Sequence, residues 1–134
     1  MILQAEKLER RFANLIHPDL VLSVDVEVGS GVLINKGCLL TTNIAIGNHV
    51  SINPGCGIGH DVVIGAFATL MWRVNLSGAV QVGEGCLIGS GATVLQGLTI
   101  GEGSIIGAGA LLTKDLSDRC TAVGVPARVV NTSK

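Results

Sequence analysis

Residues 88–115 read IGSGATVLQGLTIGEGSIIGAGALLTKD and repeat themselves every six positions. Ile88, Val94, Ile100, Ile106 and Leu112 mark one phase, with Cys86, Ala92, Leu98, Ser104 and Ala110 two places ahead of them. Side chains two apart share one face of a strand, so each unit sends two residues inward. Three places after each aliphatic residue stands Gly91, Gly97, Gly103, Gly109 or Asp115. Glycine, asparagine and aspartate best accept the positive φ that a sharp corner demands. Each unit is therefore one short strand and one corner.

The same phase runs upstream without a slip through Val82, Leu76, Leu70, Ile64, Ile58, Ile52, Ile46, Leu40, Ile34, Val28 and Leu22. Its corner slot takes Gly31, Gly37, Gly55 and Gly85, or else Asp25, Asn43, His49 and Asp61. A chain repeated in this way winds as a parallel β-helix, each unit burying its face against its neighbours. The expected fold is all-β and one domain overall. Residues 1–17 form an N-terminal cap segment, 18–117 the hexapeptide β-helix and 118–134 a C-terminal segment. Residues 2–13 are expected to form a short helix with Leu8 and Phe12 on one face, covering the open first coil against edge pairing.

Composition narrows the function. With Phe12, Phe67 and Trp72 as the aromatic residues in a chain that is 48% hydrophobic, the core must be small aliphatic layers. A net charge of −1 and the lack of aromatic platforms argue against nucleic acid. Gly, Asn, Asp and Pro cut every apolar run well short of the roughly 18 residues a membrane span needs. The charged opening, MILQAEKLERRF, does not read as a signal peptide. Four cysteines without metal-ligand spacing predict reduced thiols, no metal and a cytoplasmic setting.

These residues resemble the hexapeptide-repeat acyltransferases. Within them the likeness is to the sialic-acid O-acetyltransferases and the bacterial UDP-amino-sugar N-acetyltransferases. It runs from about Leu15 to Val130 and includes LIHPDLVLS, INPGCGIGHDVVIG, the opening stretch and AVGVPARVV. The resemblance implies a left-handed β-helix with three corners, hence three repeats, to each coil. It also implies a homotrimer with each active site between two subunits, and acetyl-CoA as the acyl donor. The expected function is transfer of acetyl to an amine or hydroxyl of a sugar or related small acceptor. The alternative is a non-catalytic trimeric scaffold or ligand-binding module on the same fold.

The resemblance assigns roles to particular residues. His60 matches the general base, a task that suits histidine as a residue type because its ordinary pKa lies near neutrality. Asp61 matches the acidic residue that orients the imidazole, and Gly78 the glycine whose N–H meets the developing oxyanion. Ser90 and Ala108 match positions whose backbone contacts the pantetheine arm, and Lys114 and Arg128 are expected near the phosphates of CoA. With three repeats to a coil, Thr42, His60, Gly78, Gln96 and Lys114 form one corner column, and Lys36, Pro54, Trp72, Ser90 and Ala108 another.

Two departures bear on the substrate pocket. The related sugar acetyltransferases begin with a nucleotide-sugar-binding domain where this chain has only the segment 1–17, which implies another acceptor, a borrowed domain or lost activity. A second histidine that the family often carries is replaced by Thr69, and Trp72 stands in the following turn. Trp72 is expected either to pack at the subunit interface or to close over the groove beside His60. Elsewhere Asp61 also reads simply as a corner former and His49 as structural. Cys38 and Cys56 read as two packed thiols, and Asn35 with Asn53 as an amide ladder. A zinc site is disfavoured because His17, His49 and His60 lie in unlike phases.

Overall fold

The computed structural model describes residues 1–8 and 11–132. From Glu27 to Leu112 two-residue strands recur every six residues and stack in parallel into three sheets. The first sheet holds Leu15–Ile16, Leu33–Ile34, Ser51–Ile52, Thr69–Leu70, Leu87–Ile88, Ile105–Ile106 and Cys120–Val123, with Arg128–Thr132 closing it antiparallel. The second holds Glu27–Val28, Ala45–Ile46, Val63–Ile64, Gln81–Val82 and Thr99–Ile100. The third holds Leu39–Leu40, Gly57–Ile58, Asn75–Leu76, Thr93–Val94 and Leu111–Leu112. The register repeats from coil to coil, with Ser51 on Thr69 and Thr69 on Leu87. The result is a three-sided left-handed β-helix.

Packing follows the two inward series. Ile34, Ile52, Leu70, Ile88 and Ile106 are buried, as are Val32, Val50, Ala68 and Cys86 two places ahead of such residues. Small inward residues let opposite walls approach, so few aromatics are needed. Ser104 replaces an apolar residue in this series and is fully buried. Its hydroxyl donates to the Ser117 carbonyl at 2.8 Å and accepts from the Cys120 N–H at 3.1 Å, which satisfies it.

The corners carry the predicted strain, in more side chains than the expected slots supply. Asn43, His49 and Asp61 take positive φ as expected, but so do Phe67, Arg73 and Ala79 in the same slot. Asp25 and Asp115 are not among the positive-φ residues. Asp115 instead accepts the Thr99 N–H at 2.8 Å, because the last coil tightens there. Ile100 pairs with Leu116 and Ile106 with Ala122, so the final turn is two residues shorter than those before it. The antiparallel hairpin follows.

The N-terminal segment differs from expectation. The helix spans Ile2–Lys7, and Leu8 lies 66% exposed, covering nothing. Residues 9–10 of the expected helix fall outside the described residues. Phe12 instead packs edge-on against the His49 ring at 4.6 Å, on a corner and not over the open end. The first coil is closed by Asn14, which donates to the Gly29 carbonyl and accepts the Val32 N–H. Asn35 and Asn53 do not pair with each other: each amide donates to a strand carbonyl one coil on, of Ile52 and Leu70. Cys38 and Cys56 are free thiols donating to the carbonyls of Asn53 and Met71. Among the described residues no helix is long and apolar enough to cross a membrane.

Candidate active site

His60 and Asp61 form the corner between strand Gly57–Ile58 of the third sheet and Val63–Ile64 of the second. Positive φ at Asp61 (59°) turns the chain there and throws the two side chains outward together. Their stacking is held by the backbone: Asp61 N–H donates to the Thr42 carbonyl at 3.1 Å, Ala79 N–H to the His60 carbonyl at 2.7 Å and Gly97 N–H to the Gly78 carbonyl at 2.9 Å. Thr42, His60, Gly78 and Gln96 thus stand one above another.

The pair is tightly joined. His60 Nδ1 lies 2.7 Å from Asp61 Oδ2, with both side chains 51% exposed. That bond, and after it one from Asn43, hold the Asp61 carboxyl below its ordinary value, so it is ionised at neutral pH. An ionised carboxylate only accepts, so Nδ1 carries a proton, and in the neutral ring the lone pair is on Nε2. The ring lies flat against Gly78: a Cβ there would come within 2.4 Å of Nε2 and 2.6 Å of Cε1. Glycine at 78 is therefore what lets the imidazole occupy this position. Gly59, just before His60, is required for a related reason, since a Cβ on it would meet the Gly78 nitrogen at 2.6 Å. Among the described residues no acceptor meets the Gly78 N–H. A proton acceptor and a free backbone donor thus sit on adjacent coils.

Of the other expected site residues, Lys114 shares this corner and the rest lie elsewhere on the chain. Lys114 is exposed on the same corner, two coils above Gly78. Trp72, Ser90 and Ala108 occupy a different corner, between the first sheet and the third, and Thr69 lies on the first sheet itself. Arg128 opens the final antiparallel strand. Trp72 is 56% exposed, and within the chain it does not fill the space beside His60. His49 is sandwiched between Phe12 and Phe67, and His17 stands beside Asp19, so the three histidines occupy three separate places. Asn43, by residue type only a corner former, also donates its side-chain amide to Asp61 Oδ1. Its signal was present in the spacing, because it stands 18 residues before Asp61.

This repeat, coiled in three-cornered turns around an aliphatic core, defines a hexapeptide-repeat protein of the left-handed β-helix class. Residues 79–114 match the family described as bacterial transferase hexapeptide (six repeats). The particular likeness is to N-acetyltransferases. PerB, the perosamine N-acetyltransferase of Caulobacter crescentus, solved with CoA and GDP-perosamine, is 37% identical with a TM-score of 0.92, over 96% of this chain and 62% of that one. The acetyltransferase domain of PglB from Neisseria gonorrhoeae, solved with acetyl coenzyme A, is 30% identical with a TM-score of 0.91, over 96% and 63%. This chain therefore spans less than two thirds of the length of these relatives. No curated protein sequence matches it.

Proposed function

We propose that this chain is an acetyltransferase that moves acetyl from acetyl-CoA to the amine of a sugar, with a nucleotide-linked amino sugar as the acceptor class. The observation that carries the reading is the His60–Asp61 pair lying against Gly78. The acceptor amine gives a proton to His60 Nε2 as its nitrogen attacks the thioester carbonyl carbon. The carbonyl oxygen becomes an oxyanion and accepts from the Gly78 N–H. The C–S bond then breaks, and CoA leaves as the thiol, taking the proton back from His60. Asp61 holds the ring and stabilises the imidazolium between these steps. The complexes solved for the two relatives, with CoA and GDP-perosamine and with acetyl coenzyme A, support both substrates.

The pantetheine arm would run along the Ser90 and Ala108 corner, with Lys114 and Arg128 near the phosphates and Thr69 and Trp72 bordering the acceptor. Lys114 shares the His60 corner, but Thr69, Trp72, Ser90 and Ala108 share a site with His60 only if the corner of one subunit faces that of another, as in a cytoplasmic homotrimer. Exposed Leu87, Ile105 and Trp72 on and beside the first sheet support such an interface. Three segments serve one domain in this reading: a cap over 1–17, the β-helix over 18–117 and the tail over 118–134.

The test is acetyl-CoA consumption with amino-sugar nucleotides, alongside calorimetry with CoA. Wild-type protein is expected to transfer acetyl, and His60→Ala to lose at least about a hundredfold in rate while remaining a folded trimer. A wild-type chain that binds no CoA would instead identify a scaffold on the same fold.

A further inference from the structure

Asn43 stands directly below Asp61 on the His60 corner, one coil earlier, and both take positive φ (53° and 59°). Its side-chain nitrogen lies 2.5 Å from Asp61 Oδ1, while Asp61 Oδ2 faces His60 Nδ1. A carboxylate has no proton to offer, so it is the amide N–H₂ of Asn43 that points at Asp61. With one oxygen held by Asn43, the carboxylate plane is set and the second oxygen is aimed at the ring. On the next rung down, Thr42 donates its hydroxyl to Asp25. Asp25 is also the nearby like charge facing Asp61, a repulsion that the Asn43 bond offsets.

We infer that Asn43 is a positioning residue for the reaction, locking Asp61 so that His60 is held as the Nδ1–H tautomer with Nε2 free over Gly78. This inference rests on the reading of His60 as the base. Asn43 acts through Asp61 and touches no reacting atom. The competing account is that Asn43 merely turns a corner, and glycine would do that at least as well.

Asn43→Gly separates the two, since it removes the amide and keeps the positive-φ corner. Its thermal midpoint is expected to stay near that of wild type, relief of the positive-φ corner offsetting the lost bond. Its kcat is expected to fall about tenfold, the loss of one charge-assisted hydrogen bond, with KM for acetyl-CoA unchanged. Asn43→Asp, which keeps the side-chain size but cannot donate from an ionised carboxylate, is expected to lose kcat in the same direction. Independently of turnover, imidazole nitrogen NMR of the three histidines, with His60 assigned from His60→Ala, should show Nδ1–H at His60 in wild type and a mixed tautomer in Asn43→Gly. Wild-type kcat together with an unchanged tautomer in Asn43→Gly overturns the inference and leaves the role of His60 standing. Full activity in His60→Ala would instead remove the reading beneath it. Should the wild-type chain transfer no acetyl, the tautomer comparison alone decides whether Asn43 sets the ring.

Discussion

The His60 imidazole lies across the face of Gly78 so closely that a Cβ at residue 78 would fall 2.4 Å from Nε2. Two residues a full coil apart are thus interlocked by the absence of a side chain. Gly78→Ala is expected to push the ring off its position while leaving the buried core intact. The rate of acetyl transfer should fall about a hundredfold, with little change in the thermal midpoint. Steady-state kinetics with circular dichroism melts checks both halves.

Asp61→Asn keeps a residue that accepts the positive-φ corner and removes the charge. Transfer should drop about a hundredfold or more, because the neutral amide no longer dictates which imidazole nitrogen holds the proton. The variant also changes acid behaviour. The folded carboxyl lies below its ordinary value of 3.8, through its bonds to His60 and then Asn43. Its stabilisation is therefore present above that value and lost as pH falls through the lowered one. Melting curves at acid pH should show a fall in the wild type that is reduced in Asp61→Asn.

Ala79 is held at a φ of 58° with no polar side chain to support the turn. Ala79→Gly is expected to raise stability by about 0.5–1 kcal/mol, relief of left-handed strain outweighing the added freedom of the unfolded chain. A urea midpoint above that of wild type is the expected reading. Arg73 (φ 56°) differs, since its stem packs over Gly55 and would be lost on substitution.

Burial pushes the Cys56 thiol up from 9.0 to about 11, with the neighbouring Cys38 adding to it, and Cys86 is raised by burial as well. The unfolded thiols ionise first. The stability that these groups contribute is full below pH 9 and is lost as pH rises through about 11. Thermal midpoints should decline over that range, and Cys56→Ala should flatten the decline.

Much of this molecule is legible in its hexapeptide spacing. Ile88, Val94 and Ile100 announce strands with one face inward, and the structure buries every aliphatic position of that phase from Ile34 to Leu112. Legibility ends where a residue serves two purposes. Asn43 and Asp61 are both good corner formers, so their sequence context conceals that the first donates a hydrogen bond to the second. Phe67 and Arg73 break the rule for positive φ, because packing on His49 and over Gly55 offsets the strain. At the N-terminus, an apolar spacing suggested a longer helix than the one from Ile2 to Lys7, since Leu8 finds nothing to bury against.

The sequence by itself determined the strand, the corner and their period, because these depend on local φ preference and on which side chains leave water. Only the tertiary structure decided that the His60 ring packs against Gly78 with Nδ1 on Asp61, and that Asn43 holds Asp61. Those relationships arise from stacking coils at three repeats per turn. Stacking converts distant positions into neighbours through backbone bonds that any sequence with this period can form.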